Sequence, residues 1–176
     1  MKQKVTKPVT HSIRVEGGIY QELMKEAASQ SISFNNFVNK ILKKHIEFDR
    51  YIPDLQFLLI HKILVRRSLL AQRDDAILST AEEAGGAFTK DTLLAMGFPL
   101  DRESLLYFIE TVLCHYKRFA ECQRHSRDGK ESFYLRHDLG EKWSLFLKGY
   151  IIGGFKSIVN EEVKVETTKD GITFVA

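Results

Sequence analysis

The stretch Val9-Thr10-His11-Ser12-Ile13-Arg14-Val15-Glu16-Gly17-Gly18 decides how the chain is read. Val9, Ile13 and Val15 fall on one side of an alternating pattern, and Thr10, Ser12 and Arg14 on the other, which predicts a short strand ended by the glycine pair. From Ile19 the period becomes helical. Ile19, Leu23 and Ala27, with Tyr20 and Met24 beside them, form a stripe that runs to about Gln30. The turn Ser31-Ile32-Ser33 follows, and the Ser33 hydroxyl is placed to cap the free amides of a second helix. That helix carries Phe34, Phe37, Val38, Ile41, Leu42 and Ile46 on one face.

A lone strand leaves its backbone edge unpaired, which is unstable in water. The simplest solution is pairing with the same strand of a second copy, giving a two-stranded antiparallel ribbon over four intertwined helices. One face of such a ribbon packs on the helices. The other presents Thr10, Ser12 and Arg14, hydroxyls and a guanidinium of the kind that read base edges in the major groove. The start of the second helix, at Ser33 and Phe34, offers amides to a phosphate.

These residues resemble a known family. Ser12-Ile13-Arg14-Val15, then Tyr20 to Ala27, then Ile32-Ser33-Phe34-Asn35-Asn36-Phe37-Val38-Asn39-Lys40-Ile41-Leu42 are similar to a ribbon-helix-helix DNA-binding domain of the Arc and MetJ type, over about residues 7–48. The resemblance implies an intertwined homodimer in which Thr10, Ser12 and Arg14 contact bases and the Ile32-Ser33 turn clamps a phosphate. Two positions depart from the pattern. Gly17-Gly18 stands where Pro or acidic residues are usual. His11 lies on the inward side, where a larger apolar residue is expected; it is read as capping the hydrophobic cluster rather than touching DNA.

Charge points the same way. Residues 1–50 hold nine Lys or Arg against five Asp or Glu, whereas residues 51–176 hold seventeen against eighteen. A basic end on a near-neutral body suits a polyanion at that end. Lys2, Lys4 and Lys7 make a basic arm, with Lys4 and Lys7 as candidate phosphate contacts; each contact steepens the salt dependence of binding by about one unit. Lys40, Lys43 and Lys44 read as a solvated helix face. Two cysteines make no disulfide framework, and the run Phe57 to Val65 is interrupted by His61 and Lys62. It is far short of the ~20 apolar residues of a membrane span. The expectation is a cytoplasmic, nucleoid-associated protein with no membrane partner.

Residues 51–176 read as a second, helix-rich α+β domain with two β-hairpins. A helix is expected from Pro53 to about Glu83, burying Leu55, Leu58, Leu59, Ile63, Leu69 and Leu70, and ended by Gly85-Gly86. Further helices are expected over Thr89–Met96, from an Asp101 cap to Tyr116, and over 140–159. Strands at Phe119–His125 and Ser132–His137 flank Asp128-Gly129, and strands at Val163–Thr167 and Ile172–Val175 flank Asp170-Gly171. A two-residue first turn sets Cys122 opposite Leu135 and His125 opposite Ser132.

Chemistry-bearing residues of this domain gather poorly. Among Cys114, His115, Cys122, His125 and His137, only Cys122 and His137 share a strand face, fewer than the three or four ligands a tight metal site wants. Cys114 and His115 are adjacent and diverge by about 100° on a helix. No metal, cofactor or catalytic group is expected, and the protein is not read as an enzyme. Gly149 and Gly153 suggest close helix approach. The junction from Tyr134 to Trp143 has two readings. It is an anion or small-effector site with Arg136, His137 and Trp143 assisting, or a helix capped by Asp138 with Trp143 in the core.

The resulting expectation is a sequence-specific transcriptional regulator, of repressor type, acting on double-stranded DNA as a homodimer or tetramer, with residues 51–176 serving dimerisation, assembly or effector response. The alternatives are an antitoxin-like interaction module and a DNA-partition or architectural protein with weak sequence preference.

Overall fold

The computed structural model describes residues 7–55, 57–127 and 130–176. Its chain divides into two compact units, Met1–Arg50 and Tyr51–Ala176. In the first, Gly17–Ser29 forms α1 and Phe34–Glu47 forms α2. Ser33 caps α2 as expected, its Oγ accepting the Asn36 amide at 3.2 Å. The helices are joined by Tyr20 and Phe34, whose ring centroids lie 5.0 Å apart, and by a 2.8 Å bond from Lys40 Nζ to Gln30 Oε1. The strand expected over Val9–Val15 is not formed in the single chain: residues 7–16 have no regular structure before α1. The described residues hold one sheet, and it belongs to the second unit.

The second unit is α+β. Helices α3 (Lys62–Leu70), α4 (Asp74–Ala95), α5 (Arg102–Tyr107) and α6 (Glu141–Val159) accompany strands β1 (Glu121–Arg127), β2 (Lys130–Arg136), β3 (Val165–Thr168) and β4 (Gly171–Val175). The sheet is antiparallel throughout, in the order β1-β2-β4-β3. Its inward residues Phe133, Leu135, Ile172 and Phe174 are buried together with Leu147, Ile151 and Phe155 of α6. The Phe133 and Phe174 rings stack at 5.0 Å. No helix among the described residues is long and apolar enough to cross a membrane.

Several expectations need correction. The single helix over Pro53–Glu83 is two helices. Residues 57–61 are irregular, and the chain breaks again between Leu70 and Asp74. At that break the Gln72 carbonyl is taken by Lys142 Nζ of α6 at 2.8 Å, and Asp74 and Asp75 start α4 where negative charge suits the helix dipole. Of the six leucines and isoleucines expected to be buried there, Leu69 is in the core, whereas Leu58, Leu59, Ile63 and Leu70 are exposed.

Gly85-Gly86 ends nothing; it lies inside α4, which also absorbs the separate helix expected at Thr89–Met96. These glycines are contact points between two helix backbones. A Cβ on Gly85 would stand 2.1 Å from the Tyr150 carbonyl oxygen, and one on Gly153 would stand 1.9 Å from that of Glu82.

Asp101 caps α5, its Oδ1 accepting the Ser104 amide at 2.8 Å, and that bond holds its carboxyl below the usual range. The helix then changes character. Phe108–Tyr116 is a π-helix, as in the 2.9 Å bond from the Lys117 amide to the Val112 carbonyl. A 3.6-residue period in the sequence carries no sign of that widening.

The β1–β2 register is as expected, with Cys122 opposite Leu135 and His125 opposite Ser132; the Asp128-Gly129 turn lies outside the described residues. In the second hairpin the turn is Lys169-Asp170, and Gly171 is the first residue of β4, paired with Arg136 and Thr168. Gly171 is needed for close approach: a Cβ would meet the Leu135 carbonyl oxygen and the Tyr134 ring at 3.0 Å.

Candidate nucleic-acid interface

In the first unit, Lys7, Thr10, Ser12 and Arg14 are all exposed, in the segment that leads into α1. Of the three apolar members of the same alternation, Val9 and Ile13 are exposed as well, at 90% and 66%, and Val15 is half-buried. His11, expected to cap a cluster on that inward side, is likewise open to solvent. Lys4 lies outside the described residues.

At the start of α2, Ser33 is exposed and spends its hydroxyl on the Asn36 amide, while Phe34 is half-buried against Tyr20. The first amides of a helix have no partner within it, so this end carries partial positive charge. The α2 lysines are engaged within their own unit. Lys40 bonds Gln30, Lys43 lies 3.8 Å from Glu47, and Lys44 lies 3.0 Å from Asp49. Those partners suit a solvated face, the reading given to them from sequence.

The apolar stripe of both helices is largely uncovered. Ala27 and Phe37 are buried, but Ile19, Met24, Ile41, Leu42 and Ile46 remain exposed, Leu42 at 56% and Ile46 at 53%. Two short helices with this much apolar surface in water have no adequate core of their own.

In the second unit, the residues of the strand-to-helix junction are separately committed. Arg136 is exposed and paired with Glu121 at 2.7 Å. Trp143 is buried and its indole N–H donates to the Phe119 carbonyl at 2.9 Å. His137 is half-buried, bonded to Ser144 Oγ at 2.9 Å, with burial pushing its pKa down. The three present no common unoccupied donor set. Asp138 is not the helix cap: Gly140 occupies the N-cap of α6, its amide donates to Asp170 Oδ1 at 3.1 Å, and Asp138 pairs with Lys62 at 2.7 Å.

Sequence reasoning missed Asp170 because it lies thirty positions away from the helix it secures. A signal was present, since the hairpin turn had to bring its acid near some backbone. Another group it passed over is Lys117, whose Nζ lies 4.1 Å from the Phe57 ring centroid and 5.4 Å from that of Phe108. Burial lowers its pKa to about 8.

On the open face of the sheet a shallow depression of about 600 Å³ is lined by His125, Ser132, Tyr134, Glu166, Thr173 and others. Lys164, which also lines it, is already paired with Glu166 at 2.9 Å. Among the described residues no group of three or more His, Cys, Asp or Glu could hold a metal ion.

Comparison with known proteins finds no family model that matches this chain and no curated protein similar to it.

Proposed function

We propose that the protein is a sequence-specific DNA-binding transcriptional regulator, acting at the nucleoid as a homodimer whose residues 9–15 pair with those of a second copy as a ribbon-helix-helix. The observation that carries this reading is the uncovered apolar surface of the first unit. Val9, Ile13, Ile41, Leu42 and Ile46 are exposed in the single chain, next to a segment that alternates like a strand yet has no backbone partner. One partner meets both needs. A second copy supplies the antiparallel strand and covers the stripe, and the folded unit is then inseparable from the dimer. Thr10, Ser12 and Arg14 would face outwards from that ribbon into the major groove. The Ser33–Phe34 helix start and the Lys4–Lys7 arm would hold phosphates. The second unit has its own core, with Phe133, Leu135 and Leu147 fully buried. That favours an assembly or effector-response domain over the short tail of an antitoxin, which folds on its target.

The test is selection from pooled random duplex DNA at two salt concentrations, followed by anisotropy titration of the enriched sequence. A short repeated half-site is expected. Arg14→Ala should lose about 1–3 kcal/mol of preference for that sequence while keeping weak, salt-sensitive binding. Binding without enrichment would favour an architectural or partition role. No binding at either salt would make the first unit a dimerisation device alone.

A further inference from the structure

Cys114 and Cys122 are the chain's two cysteines. Cys114 is buried in the π-helix, and Cys122 stands half-buried on β1 opposite Leu135, on the inward face of the edge strand. The π-helix packs against β1, and across that contact the two thiols meet in a side-chain hydrogen bond. A buried cysteine normally acts as a small apolar side chain and needs no second sulfur beside it. Here two elements of different kind, one of them a π-helix, a rare type often found at functional sites, place sulfur against sulfur.

We propose that Cys114 and Cys122 form a reversible intrachain disulfide by exchange with a small-molecule disulfide, clamping the π-helix to the edge strand of the sheet. The two sulfurs have different roles. Cys122 is the more exposed and enters first. The hydrogen bond with Cys114 lowers its pKa, and the Arg124 guanidinium adds to this, against the opposing effects of burial and of the Glu110 carboxylate. Cys114 is the more deeply buried, and its hydrogen bond with Cys122 together with that burial holds it as the thiol. Cys122 loses its proton to solvent. Its thiolate attacks one sulfur of the small disulfide, the sulfur–sulfur bond breaks, and the departing thiolate takes up a proton. Cys114 then loses its proton and attacks the Cys122 sulfur of the mixed disulfide, expelling the second small thiolate, which is protonated in turn. Two protein thiols are oxidised and one small disulfide is reduced to two thiols.

The full-length protein is incubated with glutathione disulfide and read by intact mass and non-reducing peptide mapping. The expected result is a single chain that has lost two hydrogens and both titratable thiols, with the peptide of Cys114 joined to that of Cys122. Cys114→Ser should stop at one glutathione on Cys122, and Cys122→Ser should stay unmodified. Two thiols that survive prolonged incubation, stable glutathione adducts on the wild-type chain, or disulfides between chains would each overturn the proposal. The wild-type map decides the matter even if a variant fails to fold.

Discussion

A single histidine shows how far local chemistry reaches in this protein. The Leu139 amide donates to His137 Nδ1 at 3.3 Å, so that nitrogen is an acceptor and carries no proton. Nε2–H therefore donates to Ser144 Oγ, and the hydroxyl donates onward to the Lys169 carbonyl at 3.3 Å. Protonating Nδ1 would set two N–H groups against each other. Burial already lowers the folded pKa below the ordinary histidine value of 6.5, opposed in part by Asp170 and Asp138. The unfolded chain thus binds the proton more readily than the folded one. His137 contributes its full stability above about pH 6.5, and that contribution is lost as pH falls through the lowered folded value. Denaturant midpoints at about pH 8 and about pH 5 should therefore drop further for the wild type than for His137→Gln. Equal drops would show that the ring does not titrate with folding.

Helix α4 against α6 is the element contact on which the second unit depends, and its glycines differ sharply in what they tolerate. Gly153 meets the Glu82 carbonyl, and an added Cβ would sit 1.9 Å from that oxygen, which belongs to backbone and cannot rotate away. Gly154, the next residue, would place its Cβ 3.5 Å from Leu105 Cδ1, an ordinary contact. Gly153→Ala should force the helices apart and destabilise the unit by about 3 kcal/mol. Gly154→Ala should be neutral or gain up to about 1 kcal/mol, because alanine restricts the unfolded chain and favours helix. Thermal unfolding of the two variants beside the wild type checks both. A similar cost at both positions would mean that general crowding between packed elements, not the approach of one backbone carbonyl, sets the requirement for glycine.

At the scale of the whole molecule the two units pose different problems. Tyr51–Ala176 contains most of the buried residues and all four strands. Met1–Arg50 presents its apolar stripe to solvent, and on the proposed reading a second copy covers it. Leu42→Glu tests this without touching the single chain's core, since Leu42 is exposed there. Burying that carboxylate in the dimer should weaken self-association by about 2 kcal/mol or more. Sedimentation velocity should then show the wild type as a dimer and the variant shifted towards monomer, with DNA binding lost alongside. A wild-type chain that stays monomeric at the highest attainable concentration would refute the intertwined pair.

What the sequence determined by itself was whatever neighbouring residues settle among themselves. Ser33 and Asp101 cap helices because a short acceptor side chain reaches an amide three residues on. The β1–β2 register was legible from the Asp128-Gly129 signal in the sequence, and the charge contrast between residues 1–50 and 51–176 is plain from composition. The exposed triad Thr10, Ser12 and Arg14 was legible as an alternating pattern, although the backbone that would pair with it is absent from the single chain. Tertiary structure alone decided the rest. Gly85-Gly86 read as a helix stop because glycine propensity is a weak local term, outweighed once another helix backbone comes within contact. The break near Arg73 depends on a lysine from α6, the α6 N-cap on Asp170 thirty positions away, and the thiol pair on a π-helix meeting an edge strand. Those outcomes are set by which distant atoms arrive, and no window of neighbouring residues contains them.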